Sequence, residues 1–110
     1  MAYFELDIAD MQEPALGVLR TALTHARKNR ETRTHVVPLK DFYLEAGFPE
    51  EVDRHEFMGH ITDVMRVAVF SRDYQPGGFR GWPAFESIAV TETHFEFSAC
   101  DFALCASEFT

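Results

Sequence analysis

Only two cysteines and one tryptophan occur in this chain, with no long apolar run and no excess of positive charge. Each shortage excludes something. Cys100 and Cys105 stand five residues apart, which on a helix turns their side chains about 140° from each other and suits neither a bridge nor a shared metal. They read as free thiols that pack like small apolar residues, a redox pair being the other reading. No apolar stretch reaches the roughly 18 residues that a membrane-spanning helix needs, and Met1-Ala2-Tyr3-Phe4-Glu5 lacks the basic start of a secretory signal. A cytoplasmic setting is the expectation. Ten Lys and Arg against eighteen Asp and Glu give a net charge of −8, which repels a phosphate backbone on average and leaves nucleic-acid contact to a local basic patch.

Catalytic signatures are missing as well. His55-Glu56-Phe57-Met58-Gly59-His60 resembles a zinc-protease helix, but its histidines are five residues apart, not four, so the imidazoles diverge by about 140° and cannot share a metal. His25, His35 and His94 fall in other segments and read as hydrogen-bonding groups. Gly77-Gly78 and Gly81 lack the lysine and the helix start of a phosphate loop, and no nucleophile elbow or dinucleotide fingerprint occurs. No catalytic residue, metal site or cofactor is expected, and an enzyme is the least supported class.

What is present is ample core material. The chain has 110 residues, 46% of them apolar and eleven of them Phe, enough for one domain with a modest core. Phe4, Leu6 and Ile8 alternate with acids as in a half-buried strand. Pro14 suits a first helical turn, with Asp10 and Glu13 at the positive end of the dipole and Arg27, Lys28 and Arg30 at the negative end. Between them Ala15, Leu16, Val18, Leu19, Ala22, Leu23 and Ala26 form one apolar face, with Gly17 as a close-packing point. Asn29 to Thr34 is a polar connection, and His35-Val36-Val37 is a short strand stopped by Pro38.

From Val36 to Phe70 the pattern is two helices around a glycine-marked turn. Lys40 to Ala46 forms the first, with Gly47 as its left-handed terminal residue. Pro49-Glu50-Glu51 suits a first turn of the second, whose stripe runs through Phe57, Met58, Ile61, Val64, Met65 and Ala68. Val67 to Phe70 reads equally as strand. Asp73 to Gly78 is a loop. Arg80 to Phe97 then alternates like a two-stranded wing, with Phe85 out of phase and so at a bulge. Ser98-Ala99-Cys100-Asp101 resembles a capping box before a short terminal helix. The expected fold is one α+β domain over residues 1–110, winged-helix-like, with three main helices and a small antiparallel β-hairpin wing.

Charge is segregated along this frame. Arg20, Arg27, Lys28, Arg30 and Arg33 lie within fourteen residues with only Glu31 against them, whereas residues 41–56 hold six acids and one arginine. Arg27, Lys28, Arg30 and Arg33, with Arg80 on the wing, are candidates for contact with nucleic acid or an acidic partner; the plainer reading is a solvated helix end. The second helix of a DNA reader presents Arg, Lys, Asn or Gln to base edges, but here it carries Asp53, Arg54, Glu56, His60 and Asp63. Glu50, Glu51, Asp53, Glu56 and Asp63 therefore read as an acidic face for another protein. Trp82, near Phe79 and Tyr74, is a candidate aromatic anchor, or else a loop residue pinned to its own core.

A long helix, a strand, a helix that begins Val37-Pro38-Leu39-Lys40-Asp41-Phe42 and closes at Ala46-Gly47-Phe48, a longer helix, and a hairpin ending Phe95-Glu96-Phe97-Ser98 follow one another in that order. With Trp82-Pro83-Ala84-Phe85-Glu86-Ser87-Ile88 leading into the hairpin, residues 15–105 or so resemble the N-terminal winged-helix domain of plasmid replication initiators. The resemblance implies dimerisation through this domain and auxiliary contact with the DNA backbone, base reading being the work of a second winged domain. Two function classes follow. One is a non-catalytic, self-associating module with auxiliary DNA contacts. The other is a small acidic inhibitor from a phage or mobile element, anti-CRISPR-like, that blocks a nucleic-acid-binding surface of a host defence complex.

Overall fold

Helix α1 (Ala15–Lys28) buries Ala15, Val18, Leu19, Ala22, Leu23 and Ala26, the stripe that their three- and four-residue spacing predicts. The structure, a computed structural model, describes residues 4–49, 51–71 and 76–106. At the start of α1 the Glu13 carboxylate accepts a hydrogen bond from the Gly17 amide at 3.0 Å and pairs with Arg20, so an amide with no intrahelical partner is satisfied. His25, Arg27 and Lys28 fill the last turn.

The remaining elements are β1 (Phe4–Leu6), β2 (His35–Pro38), α2 (Leu39–Ala46), α3 (Arg54–Met65), β3 (Ala68–Ser71), β4 (Arg80–Pro83), β5 (Phe85–Val90), β6 (His94–Ala99) and α4 (Asp101–Leu104). The fold is α+β, with two antiparallel three-stranded sheets of order β1-β3-β4 and β2-β6-β5 among the described residues. Helices α2, α3 and α4 and strand β6 all pack on α1. A small hairpin alone therefore understates the sheet content. The alternating Phe4 and Leu6 need a partner strand, and Ala68–Ser71 supplies it in antiparallel register, Phe4 opposite Ser71 and Leu6 opposite Val69. The ambiguous run after α3 is thus strand from Ala68 on, since Val69 and Phe70 suit a pleated surface.

The two sheets meet at Ala84. Its amide donates to the Val67 carbonyl at 2.9 Å, and its own carbonyl accepts from the Cys100 amide at 2.8 Å. One bent strand therefore serves both sheets, and the register shift between Phe85 and Ser87 is the bulge that the phase of Phe85 predicts.

Gly47 ends α2 at φ +89°, and the Phe48 amide donates back to the Tyr43 carbonyl at 2.8 Å, a left-handed terminus of the expected kind. Two helix starts differ from expectation. Helix α3 begins at Arg54, not at Pro49, because the Asp53 carboxylate caps it by accepting from the His55 amide at 2.9 Å. Ser98 does not cap α4: it remains in β6 with its hydroxyl 3.2 Å from that of Thr34, and Cys100 takes the cap position without a side-chain bond.

Behind α3 lies an aromatic core. Phe42 stacks on Phe95 with centroids 4.0 Å apart, and Phe57 meets Tyr43 edge-on at 5.0 Å and Phe48 at 5.6 Å.

Candidate interaction surfaces

The basic candidates do not form one free patch. Arg27 is half-buried and donates from Nε to the Leu104 carbonyl at 3.0 Å and from Nη2 to the Ala106 carbonyl at 2.8 Å; Arg30 reaches the Leu104 carbonyl at 3.3 Å. The Leu104 carbonyl ends α4 and the Ala106 carbonyl lies just past it, where no further helical turn supplies a partner, so two of the five cations tether the last described turn to α1. Arg33 lies 3.4 Å from Glu86, and Lys28 is exposed. Arg80 is not on the β5–β6 hairpin. It lies in β4, the other sheet, with its guanidinium 5.2 Å from the Trp82 ring centre.

Trp82 is half-buried against its own chain, 4.3 Å from Phe102 and 6.3 Å from Phe4 between ring centres. Phe79 contacts Phe70 instead and is 70% exposed, and Tyr74 lies outside the described residues. Trp82 and Phe79 therefore do not form one cluster.

The acidic candidates are open. Glu51, Asp53, Glu56 and Asp63 are all exposed, and none has an ion-pair partner among the described residues; Glu50 lies outside them. Asp63 also lines a cavity of about 430 Å³ with Asp7, Asp10, Glu13, His60 and Arg66. The sequence offered no sign of this convergence. Asp10 and Glu13 read as helix-start acids, and only the docking of the N-terminal segment beside α3 brings them to Asp63. No grouping of histidine, cysteine and carboxylate side chains among the described residues is arranged to hold a metal ion, and none of the described helices is long and apolar enough to cross a membrane.

Elsewhere His35, only 4% exposed, stacks on Phe97 at 5.0 Å and meets His25 edge-on at 5.4 Å, its Nδ1 buried without a partner among the described residues. Burial first, and the neighbouring His25 second, hold its imidazole below the usual 6.5. The folded state thus favours neutral His35, while the unfolded chain takes up a proton near that usual value. Stability from this site is complete above it and is lost as pH falls through the lower folded-state value. The melting temperature should accordingly fall between about pH 7.5 and about pH 5.5. A His35→Phe variant, which keeps the ring stack and removes the titrating group, should lose less over the same interval. Equal falls in both proteins would sink this account.

Compared with protein-family profiles, with curated proteins and with solved structures, the chain gives no match in any of the three.

Proposed function

We propose that the chain is a non-catalytic interaction module whose acidic α3 side docks on a basic surface of a nucleic-acid-handling protein. The observation that carries this reading is the contrast between the two charge sets. Glu51, Asp53, Glu56 and Asp63 stand exposed without ion-pair partners among the described residues, whereas Arg27 and Arg30 are engaged by carbonyls of their own chain. With a net charge of −8, such a surface speeds encounter with a cationic partner and sets its orientation. In this role the module acts as an anti-CRISPR-like inhibitor in the cytoplasm, covering a groove that a nucleic acid would otherwise fill.

A second reading keeps the winged helix. The order α1-β2-α2-α3-β5-β6, with β6 between β2 and β5, supports the likeness to a replication-initiator dimerisation domain, with β1, β3 and β4 as additions to it. Self-association would then be the primary role, and Lys28 and Arg33 the auxiliary contacts to DNA backbone.

The two readings part in one pair of measurements. Charge reversal of Glu51, Glu56 and Asp63 to Lys should abolish capture of a basic nucleic-acid-handling partner from host lysate. An intact complex after reversal sinks the first reading. In the second, the chain runs as a dimer in light scattering and shifts DNA at about 10 mM salt, where screening is weak. A monomer that shifts no DNA sinks it.

A further inference from the structure

The largest cavity among those described, about 710 Å³, opens between the start of α2, the segment before α3 and the β5–β6 turn, and the reading above does not use it. Its walls are Pro38, Leu39 and Val52, its rim carries Asp41, Glu51 and Glu92 against the single Lys40, and Tyr43 and Thr93 complete the lining. Tyr43 is only 7% exposed, and its ring is fixed edge-on against Phe48 and Phe57. Its hydroxyl has no hydrogen-bond partner among the described residues. The ring is buried but the hydroxyl is not sealed from solvent, so at the lining of the cavity it can exchange water for a hydrogen bond to a ligand, as donor or acceptor.

We propose that this cavity receives an arginine side chain of a partner protein, the guanidinium lying among Asp41, Glu51, Glu92 and the Tyr43 hydroxyl and the aliphatic stem against Leu39 and Val52. Charge argues for it. Three carboxylates stand against one ammonium on the rim, and none of the three has an ion-pair partner among the described residues. Geometry argues for it too, because a cation on an apolar stem matches apolar walls below an acidic rim, and a guanidinium can donate to several oxygens at once. Burial pushes the Tyr43 phenol above its usual 10.0, opposed by the charge of Arg54, so the hydroxyl keeps its proton at neutral pH and can both give and accept a hydrogen bond. Arg54 lies outside the lining, its Nη2 3.3 Å from the Val90 carbonyl, and its charge, still felt at Tyr43, is one cation against the three carboxylates.

The inference rests on the proposed docking of an acidic surface and shares Glu51 with it, but the two fail separately. The test is an amide NMR titration of the full chain with acetyl-Ala-Arg-Ala-amide, with acetyl-Ala-Gln-Ala-amide as control. Saturable shifts centred on Leu39, Tyr43, Val52 and Thr93, absent with the control, are the expected result. Tyr43→Phe, whose dispersed spectrum reports that it folds, should weaken binding by about three- to tenfold, and Glu51→Gln with Glu92→Gln by about tenfold or more. Equal shifts with both peptides, shifts spread over all exposed acids, or binding unchanged in Tyr43→Phe would overturn the inference. So would spermidine binding there while the arginine peptide does not. If the peptide fails while Glu56→Lys with Asp63→Lys still abolishes partner capture, the cavity alone is refuted. If the peptide binds and partner capture survives reversal, the α3 face alone is refuted.

Discussion

Replacing Phe57 by alanine is expected to destabilise the protein by about 3–5 kcal/mol, a large part of the roughly 5–15 kcal/mol that holds a domain of this size folded. Phe57 is fully buried and touches four other aromatic rings: Phe42, Tyr43, Phe48 and Phe95, with centroids between 5.0 and 6.4 Å. Those rings come from α2, the loop after it and β6, so no single segment can move into the space that the substitution leaves. The loss is transfer free energy plus a cavity that relaxes little. Urea unfolding of Phe57→Ala and Phe57→Leu measures it: leucine should recover a good part of the loss, and a cost below about 1 kcal/mol for alanine would mean that α3 is not seated on this core. The same substitution should disturb the acidic surface, because Phe57, with Val64, is a buried anchor of the helix that carries Glu56 and Asp63.

The second large effect has the opposite sign from the one helix propensity suggests. Gly17 lies inside α1, where alanine is ordinarily better by about 1 kcal/mol. Here a Cβ would stand 2.6 Å from the Ala46 carbonyl oxygen and 3.1 Å from the Glu13 carboxylate. The first neighbour is backbone at the end of α2, held by the left-handed Gly47, so it cannot rotate aside. Overpacking of this kind costs about 1–3 kcal/mol, and displacing Glu13 also removes its bond to the Gly17 amide. Gly17→Ala should therefore lower stability by about 2 kcal/mol net. A gain in thermal or urea stability would show that α1 and α2 stand further apart than described. Serine should be no better, since the clash lies at the Cβ itself.

Much of the frame was legible in the amino acids. The α1 stripe, the Gly47 terminus, the strand stopped by Pro38 and the bulge near Phe85 are local signals: each follows from side-chain spacing or a backbone preference within a few residues. The start of α3 was not legible, because Pro49-Glu50-Glu51 and Asp53 are both acceptable openings and the choice fell to the Asp53 cap. The first sheet was half legible. The alternation at Phe4 and Leu6 marked a strand, but its partner, more than sixty residues on, carries a run that suits helix or sheet.

The surface divides in the same way. Composition and order alone determined the charge balance, the clustering of acids from residue 41 to residue 56 and the want of metal spacing in the two histidines of α3. Tertiary structure alone decided which charges stay available. Arg27 meets carbonyls 77 and 79 residues away, and Asp63 shares a cavity with Asp7 and Asp10. Tyr43 reaches its cavity only because the β5–β6 turn closes over α2. Periodicity encodes which face of an element is apolar, since that is a property of neighbours in sequence. It does not encode which distant backbone groups lack partners, and those groups determine whether an arginine is held within the fold or left to meet a partner.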